Sequence, residues 1–386
     1  MSRFLFVVPP FVGHANPTVG VAAALVERGH QVAWAGAASV VRPLTGDRGP
    51  VFDCAMPATL DAPRPVGLRG FAALEVLWRD VLVPLADAMV AGVAAAVDRF
   101  APDVLVVDQQ AMAGALVGDR TGLPWATSAT TSAELTDPLA GLPRVARWLA
   151  KLMGELRQRH LGSSSGQDLR FSRRLVLAFS TEELVGKTEL FDAPVRFVGP
   201  VLDGRPSAIE FPWQLLDPSR SLVLVTLGTA NVDSGHRFLG ECVTALRERA
   251  DRLQAVVVDP AGALAVDDDL DVLVRLRIPQ LALLAKASAV VCHAGHNTVC
   301  ECLDNGLPSV LAPIRDDQPI IADQVVRAGA GTRLRFSKAT AQHIGAAVDT
   351  VLNVPSYRDN ANRIRESFRS AGGSTAAAAH LERLVE

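Results

Sequence analysis

The sequence predicts an α/β protein made of two successive β/α halves, and three observations carry that prediction. Short apolar runs bounded by turn residues alternate with segments of helical period through the first half of the chain, and the same style returns in the second. A Pro/Gly-rich passage, GPVLDGRP at 199–206 followed by Pro212 and Pro218, separates the two stretches. The chain has 386 residues, long for one domain and comfortable for two.

In the first half, Phe4 to Val8, Gln31 to Gly36, Val104 to Asp108 and Trp125 to Ser128 read as strands, with helices over Thr18 to Arg28 and Val83 to Phe100. Ala58 to Gly70 is rich in Pro and Gly and reads as a loop. Leu142 to His160 has the mixed pattern of an amphipathic surface helix, and GSSSG at 162–166 is the most flexible tract by composition. In the second half, Ser221 to Leu227, Gln254 to Asp259, Val272 to Leu276, Ala289 to Cys292 and Ser309 to Ala312 read as strands, with helices over His236 to Ala250 and Asp323 to Ala328. The expected division is a domain over 1–203, a linker over 204–219, a second domain over 220–365 and a helical tail over 366–386, broken at Gly372 and Gly373.

Composition narrows the function classes. Hydrophobic residues make up 49% of the chain, enough for large cores, and no apolar run approaches the ~20 residues that span a bilayer, so no transmembrane segment is expected. The run Phe4 to Val8 stops at Pro9 and Pro10, too short for a signal-peptide core, and is read as the first strand. A net charge of −3 without a basic cluster argues against nucleic acid as a partner. Five cysteines at irregular spacing argue against a disulfide framework and favour the reducing cytoplasm. Cys292, His293, Cys300 and Cys302 raise the question of zinc, but on a helix Cys300 and Cys302 point about 200° apart. They read as buried structural cysteines, and no metal is expected.

The most informative stretch is AVVCHAGHNTVCECLDNGLPSVLAPIRDDQPIIADQVVRAGA at 289–330. It reads as a strand, then a turn from His293 to His296, then a helix capped by Asn297 or Thr298 and running to Asn305. Free N–H groups and the positive end of that helix would face an anion of the nucleotide-diphosphate kind. Gly295 lets the backbone approach closely, while His293 and the Thr298 hydroxyl can donate to phosphate oxygens. Glu301 lies four positions after Asn297, on the same helix face, and can accept both hydroxyls of a ribose.

The pattern HAGHNT…E…GLP…P…DDQP resembles the donor-site signature of family 1 nucleotide-sugar-dependent glycosyltransferases, nearest in wording to bacterial enzymes that glycosylate carotenoids, macrolides and other natural products. FVGHANP at 11–17 is similar to that family's N-terminal signature, and Ile278, Pro279 and Gln280 to its nucleobase-binding segment. Three motifs in the right order extend the resemblance over the whole chain. It implies the GT-B fold, two Rossmann-like domains facing across a cleft with a C-terminal helix crossing back to the N-terminal domain.

The resemblance also implies roles. Inverting transfer needs a base for the acceptor proton and stabilisation of a departing nucleotide diphosphate. His14, just past the first strand, is the base, with Asn16 and Pro17 capping and opening the next helix, whose positive end disfavours imidazolium. Asp108 stands where the family has the carboxylate that orients this histidine. Donor contacts are expected from Gly228 and Thr229 after a strand, from Arg277, Ile278 and Gln280 at the base, from His293, Gly295, His296, Asn297, Thr298 and Glu301, and from Asp317 and Gln318 at sugar hydroxyls. Acceptor contacts are expected from Phe11, Val12, Trp78, Thr130 and Trp148. Three positions depart from the pattern: Arg277 replaces a base-stacking Trp, His296 replaces the Trp of plant relatives, and Ile321 falls where many members have Asn.

The expected activity is inverting transfer of a hexose or deoxyhexose from a UDP- or dTDP-sugar to a hydrophobic small molecule, with no cofactor and with homodimerisation open. A nucleotide-sugar epimerase of the same fold and a non-catalytic glycosyltransferase partner protein are the alternatives. A nicotinamide oxidoreductase is disfavoured because no G-x-G-x-x-G follows the first strand.

Overall fold

The computed structural model describes residues 1–60, 68, 70–136, 138–188, 194–204, 209–228, 235–264 and 270–385. The chain divides into two compact units, Met1–Pro206 with Ser370–Glu386, and Ser207–Arg369. Among the described residues the first unit has a seven-stranded parallel sheet of β1 (Arg3–Val7), β2 (Gln31–Gly36), β3 (Val51–Asp53), β4 (Val104–Asp108), β5 (Trp125–Ala129), β6 (Val176–Ala178) and β7 (Val195–Phe197). Their order in the sheet is β3-β2-β1-β4-β5-β6-β7. The second unit has β8 (Ser221–Thr226), β9 (Leu253–Val258), β10 (Val272–Arg275), β11 (Ala289–Cys292), β12 (Ser309–Leu311) and β13 (Gly331–Arg333), ordered β10-β9-β8-β11-β12-β13.

These strands are apolar on both faces because helices cover both. In β1, Leu5 and Val7 pack with Leu85, Met89 and Val93 of the helix Val83–Phe100. Phe4 and Phe6, on the opposite face by the period of two, pack with Val21 and Leu25 of the helix Val12–Glu27. The same cluster takes Ala377, Ala378 and Leu381 from the terminal helix Gly373–Glu382, so the end of the chain belongs to the core of the first unit. Gly372 and Gly373 both have positive φ at the turn into that helix, the conformation that favours glycine. Glu382 accepts from Arg28 at 2.7 Å and lies 2.9 Å from His30 Nε2. In the second unit Val223, Val225, Ala255, Val257 and Val291 pack with Phe238 and Leu239 of His236–Arg247 and with Ile344 and Val348 of Ala341–Asn353.

Several sequence expectations change. The first helix begins at Val12, with Phe11 as an uncapped N-cap and Pro17 inside it, so Asn16 and Pro17 neither cap nor open it. The helix after β11 spans His296–Asp304 with Gly295 at the N-cap, which makes Asn297 and Thr298 first-turn residues instead of caps. The continuous helical stretch Gly70–Phe100 is long and apolar enough to cross a membrane, contrary to the reading of the apolar runs. Half of its most apolar window is buried within the protein, and Leu85, Met89 and Val93 lie in the core, the pattern of a core helix. The tract at 162–166 is tied down: Arg157 donates to the Ser165 carbonyl at 3.1 Å and pairs with Asp119 at 2.8 Å. A side chain at Gly166 would collide with the Arg157 guanidinium.

Candidate active site

Each sheet has one place where the chain switches from building on one side to building on the other, and in open parallel sheets the strand ends there form a crevice suited to ligands. In the first unit it lies between β1 and β4. His14 is in the first helical turn after β1, and Asp108 is the last residue of β4. His14 Nδ1 lies 3.0 Å from each carboxylate oxygen of Asp108. Asp108 is fully buried and the His14 side chain is 18% exposed. The Gln110 N–H donates to Asp108 Oδ1 at 2.8 Å and the Thr130 hydroxyl to Oδ2 at 2.6 Å. A carboxylate held this way takes an N–H from Nδ1, which leaves the lone pair of the imidazole on Nε2.

The hydroxyl of Thr130, a residue expected at the acceptor, joins the His14/Asp108 pair, 2.7 Å from Nδ1. It follows β5, whose Ser128 is paired in register with Asp108, so both residues reach the same rim of the sheet. That register was the available signal, and it emerges only once the strands are paired. Trp78, also expected at the acceptor, lies in the core. At 2% exposure it belongs to the core beside Leu85 and Met89, because its ring is covered by the helix packing and by the Arg170 guanidinium 5.8 Å from its centroid. Phe11 and Val12 open the helix that bears His14; the Phe11 ring is 5.6 Å from the imidazole and Val12 is exposed. Trp148 is half-buried against Phe71, with its indole N–H lacking a hydrogen-bond partner.

In the second unit the switch lies between β8 and β11. His293 follows β11, and its imidazole lies between two glycines. A Cβ on Gly228 would come within 2.8 Å of the ring, and one on Gly295 within 2.3 Å. Gly228 also has φ of +68°, so two independent constraints select glycine there. Burial holds the His293 imidazole down to about 4, against the pull of the Thr226 carbonyl, and Nδ1 makes no well-formed hydrogen bond. The ring is therefore neutral near pH 7. Ala294 adopts a left-handed φ of +64°, a strained conformation for a residue with a side chain. The helix His296–Asp304 starts here with Thr298 buried in its first turn, so its N-terminal N–H groups gather beside Gly295.

Glu301 is buried and accepts a 2.5 Å hydrogen bond from the side-chain amide of Gln280. Gln280 thus reaches Glu301 by its side chain, where the sequence reading had its backbone region at the nucleobase. Arg277 is exposed beside buried Ile278. His296 turns along its own helix, Nε2 being 3.5 Å from Cys300 Sγ. Gln318 is buried, and its Oε1 accepts from the N–H groups of Ile314 at 2.8 Å and Arg315 at 3.2 Å, so half of its amide shapes the loop. Asp317 is half-buried at the start of the helix Gln318–Arg327. Thr229 lies outside the described residues. All five cysteines are buried and free of disulfides, and burial pushes the Cys292 thiol up to about 11.

Two parallel α/β units, each with polar groups gathered at its own switch point, fit the two-domain GT-B fold. Residues 248–384 match the family of erythromycin biosynthesis protein CIII-like C-terminal domains. The chain is 31% identical to 4'-demethylrebeccamycin synthase of Lentzea aerocolonigenes over 425 aligned positions, covering 100% of both chains. Among solved structures it is similar to the glycotransferase of kitacinnamycin, with a TM-score of 0.78, 23% identity and coverage of 100% and 99% of the two chains. It is similar also to the glycosyltransferase VinC in complex with dTDP, with a TM-score of 0.74, 19% identity and 99% coverage of each. The chain belongs to the family 1 nucleotide-sugar-dependent glycosyltransferases of natural-product pathways.

Proposed function

We propose that this glycosyltransferase moves a hexose or deoxyhexose from a UDP- or dTDP-sugar to a nucleophile of a hydrophobic small molecule, with inversion and without a metal ion. The observation that carries the reading is the 3.0 Å contact of His14 Nδ1 with both oxygens of a fully buried carboxylate. With Nδ1–H committed to Asp108, Nε2 takes the acceptor proton as the nucleophile attacks the anomeric carbon. Asp108 then stabilises the imidazolium. The glycosidic bond to the nucleotide diphosphate breaks on the opposite side of that carbon, and the leaving group carries its negative charge away.

On the donor side, the N–H groups opening the helix His296–Asp304 and the Thr298 hydroxyl would hold the diphosphate. Glu301, oriented by Gln280, would accept the ribose hydroxyls. His293, neutral and buried between two glycines, would donate to a phosphate oxygen as charge grows there. The helix N-terminus supplies the positive field that a metal provides elsewhere, so activity should survive EDTA. The dTDP held by the structural neighbour favours the dTDP-sugar of the two donors. The buried free cysteines fit a cytoplasmic enzyme. The test is NMR of the product formed from an α-linked dTDP- or UDP-sugar. A β-linked product is expected; an α-linked product would rule out single-step inversion by His14.

A further inference from the structure

We propose that Thr130 is a positioning residue for the base, its hydroxyl locking Asp108 and the His14 ring in the geometry that directs Nε2 at the acceptor. The inference rests on His14 being the base. Thr130 is 4% exposed, and its single hydroxyl lies 2.6 Å from Asp108 Oδ2 and 2.7 Å from His14 Nδ1. The one hydroxyl proton goes to the carboxylate, the stronger acceptor, and a lone pair then faces Nδ1–H. Nδ1–H consequently points into a triangle of three oxygens, two from Asp108 and one from Thr130. Oδ1 has its own second donor in the Gln110 N–H, so Thr130 supplies the matching donor on Oδ2 and stops the carboxylate from turning.

The backbone around Thr130 is fixed by a separate chain of contacts. The residue after Asp108, Gln109, accepts from the N–H of the residue after Thr130, Thr131, at 3.3 Å. Gln109 donates to Glu134 at 2.6 Å, and Glu134 accepts from Arg170 at 2.9 Å, which also pairs with Asp168 at 2.8 Å. Burial works against the charged Arg170 guanidinium, but the Glu134 and Asp168 carboxylates outweigh it and push its value up, so the charge is permanent. The rim of β4 and β5 is thus clamped on one side by this network and on the other by the Thr130 hydroxyl.

The test separates positioning of a base from general damage. Wild-type, Thr130→Val, Thr130→Ser and His14→Ala enzymes are assayed with phenol, 4-chlorophenol and 4-nitrophenol as acceptors, at a pH where only the last is ionised. An ionised acceptor needs no base. Thr130→Val should lose about tenfold in kcat/KM on phenol and little on 4-nitrophenol, with the donor KM unchanged, and Thr130→Ser should restore the loss. An equal loss on all three phenols, or a change confined to the donor KM, would overturn the positioning role. His14→Ala should depend more steeply on acceptor acidity than wild type. If it does not, the base assignment itself fails, whatever Thr130→Val does.

Discussion

The two switch points of this chain are built on opposite plans. At the first, the Asp108 carboxylate, the Thr130 hydroxyl and His14 Nδ1 are all engaged with one another or with nearby backbone. At the second, a buried histidine has a ring nitrogen without a well-formed hydrogen bond, and a left-handed alanine stands beside it. A base must be aimed before its substrate arrives, so its bonds are made in advance. On the proposed reading the second point is a site for an anion, which keeps a buried ring and a strained backbone turn facing the place where the ligand would bind.

Four perturbations break or sharpen the contrast, and they run from the largest expected effect to the smallest. His14→Ala should lower kcat by ~10² to 10⁴ while leaving nucleotide affinity intact, since it removes a base and no donor contact. Turnover and calorimetric titration with UDP and dTDP check both halves of that statement. Glu301→Ala should act on the other region, weakening nucleotide binding by ~1 to 3 kcal/mol because ribose hydroxyls lose their acceptor. Unchanged affinity in a folded variant would remove Glu301 from the ribose.

The third concerns pH. His293 has an ordinary value of 6.5 and is held to about 4 by burial, so the unfolded chain takes up this proton first. Its contribution to stability is full above about 6.5 and is lost as pH falls toward 4, by up to roughly 3.5 kcal/mol. Urea denaturation across that range should therefore fall more steeply for wild type than for His293→Gln. Equal slopes would mean the imidazole is not desolvated. Smallest is Ala294→Gly, which relieves the left-handed strain at φ +64° and should gain up to ~1 kcal/mol of stability by the same measurement. A loss of stability would show that this backbone is not strained.

How much of this was legible in the sequence differs between strands and between sites. Central strands such as Gln31–Gly36 and Ala289–Cys292 were readable to the residue, because burial on both faces demands an unbroken apolar run. The edge strands Val51–Asp53, Val195–Phe197 and Gly331–Arg333 were not, being three residues each with at most one face covered. The Gly70–Phe100 helix was read only from Val83 because Pro84 suggests a first turn, whereas the helical stretch already runs from Gly70. At the site, His14, His293 and Gly295 could be picked out because each belongs to a local motif at a strand end, and Asp108 because the family resemblance points to that strand end. Thr130 was named only as an acceptor contact, and its bonds to the pair and the Gln109, Glu134 and Arg170 chain were not legible, since these partners lie 22 to 116 positions apart and meet only through strand register. The start of the first helix was missed because Pro17 suggests a first turn, whereas the helix tolerates it six residues in.

The central claim is that His14 and Asp108 act as one catalytic unit, and a double-mutant cycle on kcat/KM tests it most directly. His14→Ala, Asp108→Asn and the double variant are compared with wild type on one hydroxyl acceptor. Asp108→Asn should lose less than His14→Ala, and the double variant should lose no more than His14→Ala alone, because the carboxylate then has no imidazole to orient. Losses that add, or a His14→Ala enzyme that turns over an unactivated hydroxyl at the wild-type rate, would contradict the pair.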